Sequence, residues 1–181
     1  MTPPPRPVPK PMAVALLLAL LSILFGFGLG GAFGFIESRM KQYLDDRGTE
    51  VLDTAYEGDA AAKEAVVAKS WIYLQRAHLH GGAIGATALG SILLLLLLGR
   101  VGIVARVSAI AFGAGALTYS VYWLWAGLLA PGLGGTGAAK EALAFLAIPG
   151  TALCIVGLLG TLCCVIGEVF NRAPQTDGRI D

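Results

Sequence analysis

The alternation of apolar and polar segments divides the chain into four long apolar stretches joined by polar connections. The stretches cover about 12–36, 77–98, 101–130 and 142–167. A bilayer core of roughly 30 Å is crossed by about 20 helical residues, and the backbone polar groups must be hydrogen-bonded within the protein there. Every stretch is long enough, and this pattern cannot make a closed barrel. It therefore predicts an all-α, polytopic membrane protein, a bundle of four transmembrane helices.

Two of the apolar stretches have further features that concern how they cross the membrane, the length of the first and a Pro-Gly pair in the fourth. The first is far longer than the apolar core of about 7–15 residues of a signal peptide, and Glu37 and Ser38 after it do not resemble a processing site. We therefore expect it to be a retained anchor. The fourth contains Pro149 and Gly150, which predict a kink inside that helix.

The polar connection 37–76 has the periodicity of a helix. Apolar residues such as Met40 and Leu44 recur three, four or seven positions apart, Gly48 interrupts the run, and 56–59 has the composition of a turn. We predict that the first two spans project beyond the membrane as a helical hairpin. The alternative is an amphipathic segment that lies on the lipid headgroups.

The positions of the basic residues favour both termini on the cytoplasmic side. The side of the termini comprises a Pro-rich tail over 1–11, the short second connection and a tail over 168–181. Its basic residues are Arg6, Lys10, Arg100, Arg106, Arg172 and Arg179. The other side carries seven Lys and Arg against these six, but over longer connections and with more acids. Since the positive-inside rule weights short segments, we expect N-in and C-in, in the inner (plasma) membrane of a bacterium.

Aromatic residues gather at the end of the predicted bundle that lies away from the termini. They are Trp71, Tyr73, Tyr119, Tyr122, Trp123 and Trp125. Tyr and Trp are enriched where a membrane helix meets water. The second and third spans therefore share an interfacial belt at this end.

Small residues recur along the spans at helical spacing. Gly26, Gly30 and Gly34 lie on one face of the first span, and the second span repeats the pattern with Gly81, Gly85, Gly82 and Gly90. Small residues allow the close backbone approach on which helix association in lipid depends. We predict a tight bundle. The same pattern is also compatible with self-association.

Composition supports a membrane location and excludes some partners. The chain is 56% hydrophobic and 14% charged, whereas soluble domains carry about 25% charged residues. A net charge of +1 argues against nucleic acid, which requires clustered basic surface. Cys154, Cys163 and Cys164 lie in one apolar run and form no disulfide framework. The vicinal pair 163–164 is a thiol or soft-metal candidate, although packing is the usual role of such residues.

The candidate chemistry centres on the two histidines, His78 and His80, where the second span enters the membrane. Ionisable groups at this depth usually have a partner or a role. Two residues apart on a helix, the rings point about 200° apart. They therefore cannot bind one metal ion together, and only one of them is expected to face the bundle.

Three interpretations of the histidines stay open. In the first, one of them ligates haem or copper together with Met40, expected at a similar depth, or with a histidine of a symmetric partner chain. In the second, they belong to an interfacial polar network that holds a lipid headgroup or a quinone, or docks a subunit. That network would comprise Glu37, Arg39, Gln75 and Arg76. In the third, they are amphipathic residues tolerated at the interface.

The sequence favours a non-enzymatic protein that works by association. The spans lack the carboxylate pairs of hydrolytic sites, and the Gly-rich segment 132–137 lacks the ending of a phosphate-binding loop. A transporter would show polar groups at the membrane midplane, which here is apolar. We expect an accessory subunit or a homo-oligomer whose partners are the lipid bilayer and other membrane subunits or itself. The alternative is a redox subunit that binds haem or copper; its cofactor is otherwise unknown.

Overall fold

The computed structural model describes residues 7–171. The helices are α1 (Lys10–Thr49), α2 (Leu52–Ala55), α3 (Ala60–Leu97), α4 (Ile103–Leu129), α5 (Thr136–Ala142) and α6 (Ala144–Asn171). Four of them, α1, α3, α4 and α6, are long and apolar enough to cross a membrane. The prediction of an all-α four-helix membrane bundle is therefore confirmed. Arg6, Arg172 and Arg179, which entered the charge argument, lie outside the described residues.

The four long helices are not equivalent. α1, α3 and α4 pack against one another, whereas α6 packs chiefly against α4. The core of the three-helix unit contains fully buried side chains from each helix, including Met12, Ile92 and Ala116. α6 contacts α4 through glycine, since a Cβ at Gly157 would lie 2.5 Å from the Cβ of Phe112. Most of the surface of α6 is left exposed for lipid or for another chain.

The backbone of α1 has a break within the helix. Pro149 lies inside α6, which continues as one helix to Asn171. In α1 the backbone of Ile36 leaves the helical region, with φ −133° and ψ 21°. This residue closes the first apolar stretch. The break therefore separates the apolar part of α1 from its polar extension.

The two polar extensions form the predicted helical hairpin, and Gly48 does not interrupt it. α1 runs through Gly48 to Thr49. Gly48 is buried there because the stem of Lys63 packs on it, and an added Cβ would lie 2.9 Å from the Lys63 Cγ. The Lys63 ammonium donates to the Asp45 carboxylate over 2.7 Å and to the Thr49 hydroxyl over 3.2 Å. Lys63 thus fastens the two arms together.

The turn between the arms has the expected chemistry. Glu57 and Gly58 adopt positive φ values of 54° and 78°, a conformation that glycine accepts without strain. Asp59 caps α3, and its Oδ1 accepts from the backbone N–H groups of Ala61 and Ala62 at 2.9 and 3.0 Å. Both features fix the point at which the chain reverses.

The tip of the hairpin is docked onto the connection between α4 and α5. The Tyr56 hydroxyl donates to the carbonyl of the buried Pro131 over 2.8 Å. Gly134 faces Ala55 so closely that an added Cβ would lie 2.8 Å from the Ala55 Cβ. Burial raises the pKa of the Tyr56 phenol, against the opposing effect of the Lys63 charge. The hairpin and this connection form one unit, called here the hairpin end of the bundle.

Candidate functional site

His78 faces α1 at the closest approach of α1 and α3. Its Nδ1 lies 2.7 Å from the backbone carbonyl oxygen of Gly26. Because a carbonyl oxygen only accepts, Nδ1 carries the hydrogen. The ring lies against Gly30, where an added Cβ would be 2.6 Å from the imidazole Cε1, and it meets Phe33 edge-on with 5.8 Å between centroids. His78 is thus half-buried and held by α1.

Glycines make this approach possible, although not all of those singled out in the sequence take part. An added Cβ at Gly26 would lie 2.5 Å from the Gly82 backbone nitrogen, and Cβ atoms at Gly81 and Gly85 would also be crowded by α1. The Ser22 hydroxyl donates to the Gly81 carbonyl over 3.1 Å in the same contact. By contrast, a Cβ at Gly34, Gly82 or Gly90 would meet nothing within 4 Å. These three positions are open.

His80 faces the opposite neighbour, α4. Its ring centroid lies 5.3 Å from that of Tyr119 and 6.1 Å from that of Trp123. The two histidines therefore diverge, in keeping with the helical geometry. The expectation that only one of them faces the bundle is wrong, because α1 and α4 both pack against α3 and each ring has a helix to face.

Met40 is not brought to either histidine. His78 is level with Gly26 and Gly30, and Met40 lies ten residues beyond Gly30, or roughly 15 Å along a helix. Met40 instead lines an apolar groove on the hairpin with Ile36, Arg39, Tyr43 and Leu128. Met40 and His78 were expected at the same depth in the membrane. They are not, because α3 meets α1 at Gly26 and Gly30, inside the first apolar stretch, and not at its end.

The His–Met ligand pair expected for haem or copper is not formed among the described residues. The described residues contain no group of three or more His, Cys, Asp and Glu side chains placed to hold a metal ion. His78 is held against α1, and His80 stacks on aromatic rings. Met40, the second ligand expected within the chain, lies on the hairpin groove and not beside either imidazole.

Among the described residues, the four residues expected to form one polar network make no hydrogen bond or ion pair with one another. Glu37 pairs with Lys41, whose ammonium lies 4.9 Å from the centroid of the Trp71 ring. Arg39 lies on the apolar groove, and Gln75 is exposed. Arg76 points towards α4. Glu37 and Arg76 thus contact different neighbours, and the expected network is not formed.

Arg76 belongs to a cluster that the sequence did not reveal. Its guanidinium lies 4.9 Å from the Trp123 ring centroid and 5.5 Å from that of Tyr73. The ammonium of Lys140, on α5, lies 5.3 Å from the Tyr73 ring and 5.9 Å from the Trp123 ring. The two rings meet edge to face with 4.8 Å between centroids. We call Tyr73, Arg76, Trp123 and Lys140 the cation–aromatic cluster.

The only signal for this cluster in the sequence was the aromatic belt. Lys140 lies far from Arg76 in sequence, and the short helix α5 that carries it was not predicted. The three cysteines are free, and Cys154 packs against Gly115 of α4.

Comparison with protein-family models, with curated proteins and with solved structures finds no match for the chain. We therefore infer its function from the fold and the contacts described above.

Proposed function

We propose that this chain is a small, non-enzymatic integral membrane protein that works by association, as an accessory subunit or a homo-oligomer of a membrane complex. Both termini would be cytoplasmic, and the hairpin end would be the functional, non-cytoplasmic face. The observation that carries this proposal is an apolar groove on the projecting hairpin, beyond the break at Ile36.

The groove has a volume of about 300 Å³ and is lined by Ile36, Arg39, Met40, Tyr43 and Leu128. Tyr43 is 45% exposed and Ile36 is 41% exposed. Exposed apolar side chains within a polar segment that leaves the bilayer are typical of a contact surface for another protein. Tyr also combines a large contact area with few rotatable bonds, which favours it at interfaces.

The rigidity of the hairpin supports the same function. The Lys63 contacts join its arms, and the hydrogen bond from Tyr56 to the Pro131 carbonyl fixes its tip. A surface that is already ordered loses little conformational entropy when a partner binds. The hairpin is therefore suited to present the groove to a neighbouring subunit.

Native mass spectrometry of the protein in mild detergent and in lipid nanodiscs tests this proposal. We expect masses above that of one 18.7 kDa chain, as multiples of the chain or as the chain with a second subunit. Tyr43→Glu should abolish them. Gln42→Glu, which adds the same charge at the adjacent exposed position, should not. A single chain under every condition would overturn the proposal.

A further inference from the structure

The cation–aromatic cluster has an unusual balance of charge. Four ion pairs occur among the described residues, and none of them involves Arg76 or Lys140. Both cations nevertheless lie within 6 Å of the same two ring centroids. Cation–π attraction compensates for part of their mutual repulsion. It leaves their hydrogen-bond donors available.

The rings between the cations add further donors. Trp123 is only 8% exposed, and among the described residues its indole Nε1–H has no hydrogen-bond acceptor. The Tyr73 hydroxyl has Lys140 and Thr136 as its polar neighbours. The groups that surround these rings are therefore rich in donors and positive charge and poor in acceptors. Such a set is complementary to an oxyanion.

The depth of the cluster indicates which oxyanion is within reach. Arg76 immediately precedes the second apolar stretch, and Lys140 lies just before the fourth. Both are thus at the level where membrane helices meet water, the level of the aromatic belt. Phospholipid phosphates occupy this level, and basic pockets between membrane helices bind anionic headgroups.

We propose that Arg76 and Lys140, held over the Tyr73–Trp123 ring pair, bind a phosphate group, that of an anionic phospholipid headgroup at the hairpin end. Arg76 donates to two phosphate oxygens through its planar guanidinium, and Lys140 contributes the point charge of its ammonium from helix α5. This site is separate from the apolar groove. It does not depend on the proposed association.

The fluorescence of Trp123 provides a direct test. The chain has three tryptophans, so the double variant Trp71→Phe, Trp125→Phe leaves Trp123 as the single reporter. In this background we would titrate phosphatidylglycerol into phosphatidylcholine nanodiscs, and separately add inorganic phosphate. We expect a saturable change in Trp123 emission with phosphatidylglycerol. If inorganic phosphate alone gave the same change, the oxyanion site would stand, but its ligand would be a soluble phosphate and not a lipid headgroup.

Variants distinguish a site from general surface charge. Arg76→Gln and Lys140→Gln should each weaken the response about tenfold or more, because a hydrogen bond to a charged group is lost. Arg47→Gln removes an exposed arginine on the hairpin, outside both the cluster and the groove, and should leave the response unchanged. Thermal unfolding of each variant verifies that it is folded. No response to either probe, or equal weakening by Arg47→Gln, would overturn the proposal.

Discussion

The Nδ1 atom of His78 lies 2.7 Å from the backbone carbonyl oxygen of Gly26, and this contact joins α3 to α1 inside the bundle. The hydrogen bond is possible because glycine at 26, 81 and 85 lets the two backbones approach closely. Interhelical hydrogen bonds in membranes contribute roughly 1 kcal/mol. His78 lies at the membrane entrance, a position that suggests ligand binding, but this contact shows that it takes part in the packing of the helices.

Gly26→Ala should destabilise the bundle by about 1–3 kcal/mol, because the added Cβ would lie 2.5 Å from the backbone nitrogen of Gly82. Relieving this clash requires one of the two helix backbones to move. Gly28→Ala is the matched control, since its Cβ would meet nothing within 4 Å. The free energy of unfolding in detergent, measured by denaturant titration, compares the two. Equal stability of both variants would show that the α1–α3 approach is not as close as described.

Tyr56→Phe should loosen the tip of the hairpin, because the hydrogen bond to the Pro131 carbonyl is lost. Hydrogen–deuterium exchange in residues 50–59 and 130–135 should rise by about threefold to tenfold, as expected for a net contribution of about 1 kcal/mol. Thr54→Val is the control, since Thr54 is exposed and bonds only within its own turn. Unchanged exchange in Tyr56→Phe would contradict the docking.

The same contact should weaken at high pH. The folded state raises the pKa of the Tyr56 phenol, so it favours the protonated form, and this contribution is complete below the ordinary tyrosine pKa of about 10. It is lost as the pH rises through the raised value. Exchange in the wild-type tip should therefore increase above about pH 10, while Tyr56→Phe lacks that step. An identical pH profile for the two proteins would refute this.

The purified protein should be colourless and free of stoichiometric metal, because Met40 lies far from both histidines. An absorption spectrum with metal analysis, made beside His78→Ala and His80→Ala, checks this. A Soret band or copper that is lost in one variant would establish the redox alternative.

The orientation can be measured by cysteine labelling. In a variant whose three native cysteines are replaced by alanine, Thr54→Cys should react with a membrane-impermeant maleimide on intact cells, since position 54 lies on the hairpin. Lys10→Cys, at the start of α1, should react only after permeabilisation. The reverse pattern would place the hairpin in the cytoplasm.

Most of the fold could be predicted from the sequence because its signals are local. Long apolar stretches specify the membrane helices, and the turn at 56–59 with Asp59 as a cap specifies where the hairpin reverses. Gly48 was expected to break the helix on intrinsic preference. The helix continues through Gly48, where the stem of Lys63 packs so closely that an added Cβ would lie 2.9 Å from the Lys63 Cγ.

The candidate site was less predictable because it depends on which helices meet and at what level. The histidines diverge as their spacing requires, but the sequence did not show that α1 and α4 both pack against α3. Arg76 was expected beside Glu37 and Arg39, its neighbours in the polar connection. In the structure it lies over the ring of Trp123, which Lys140 also approaches. Both residues are distant from Arg76 in sequence, and helix α5, which carries Lys140, has no strong periodic signal.

Site-specific photocrosslinking in intact membranes tests most directly whether the protein works by association through its hairpin end. A photoreactive phenylalanine analogue would replace Tyr43 on the groove and, as a control, Ile103, which is 73% exposed at the opposite end of the bundle. Illumination should yield adducts larger than one chain from position 43 and not from position 103. Adducts from position 103 alone, or none from position 43, would contradict the account.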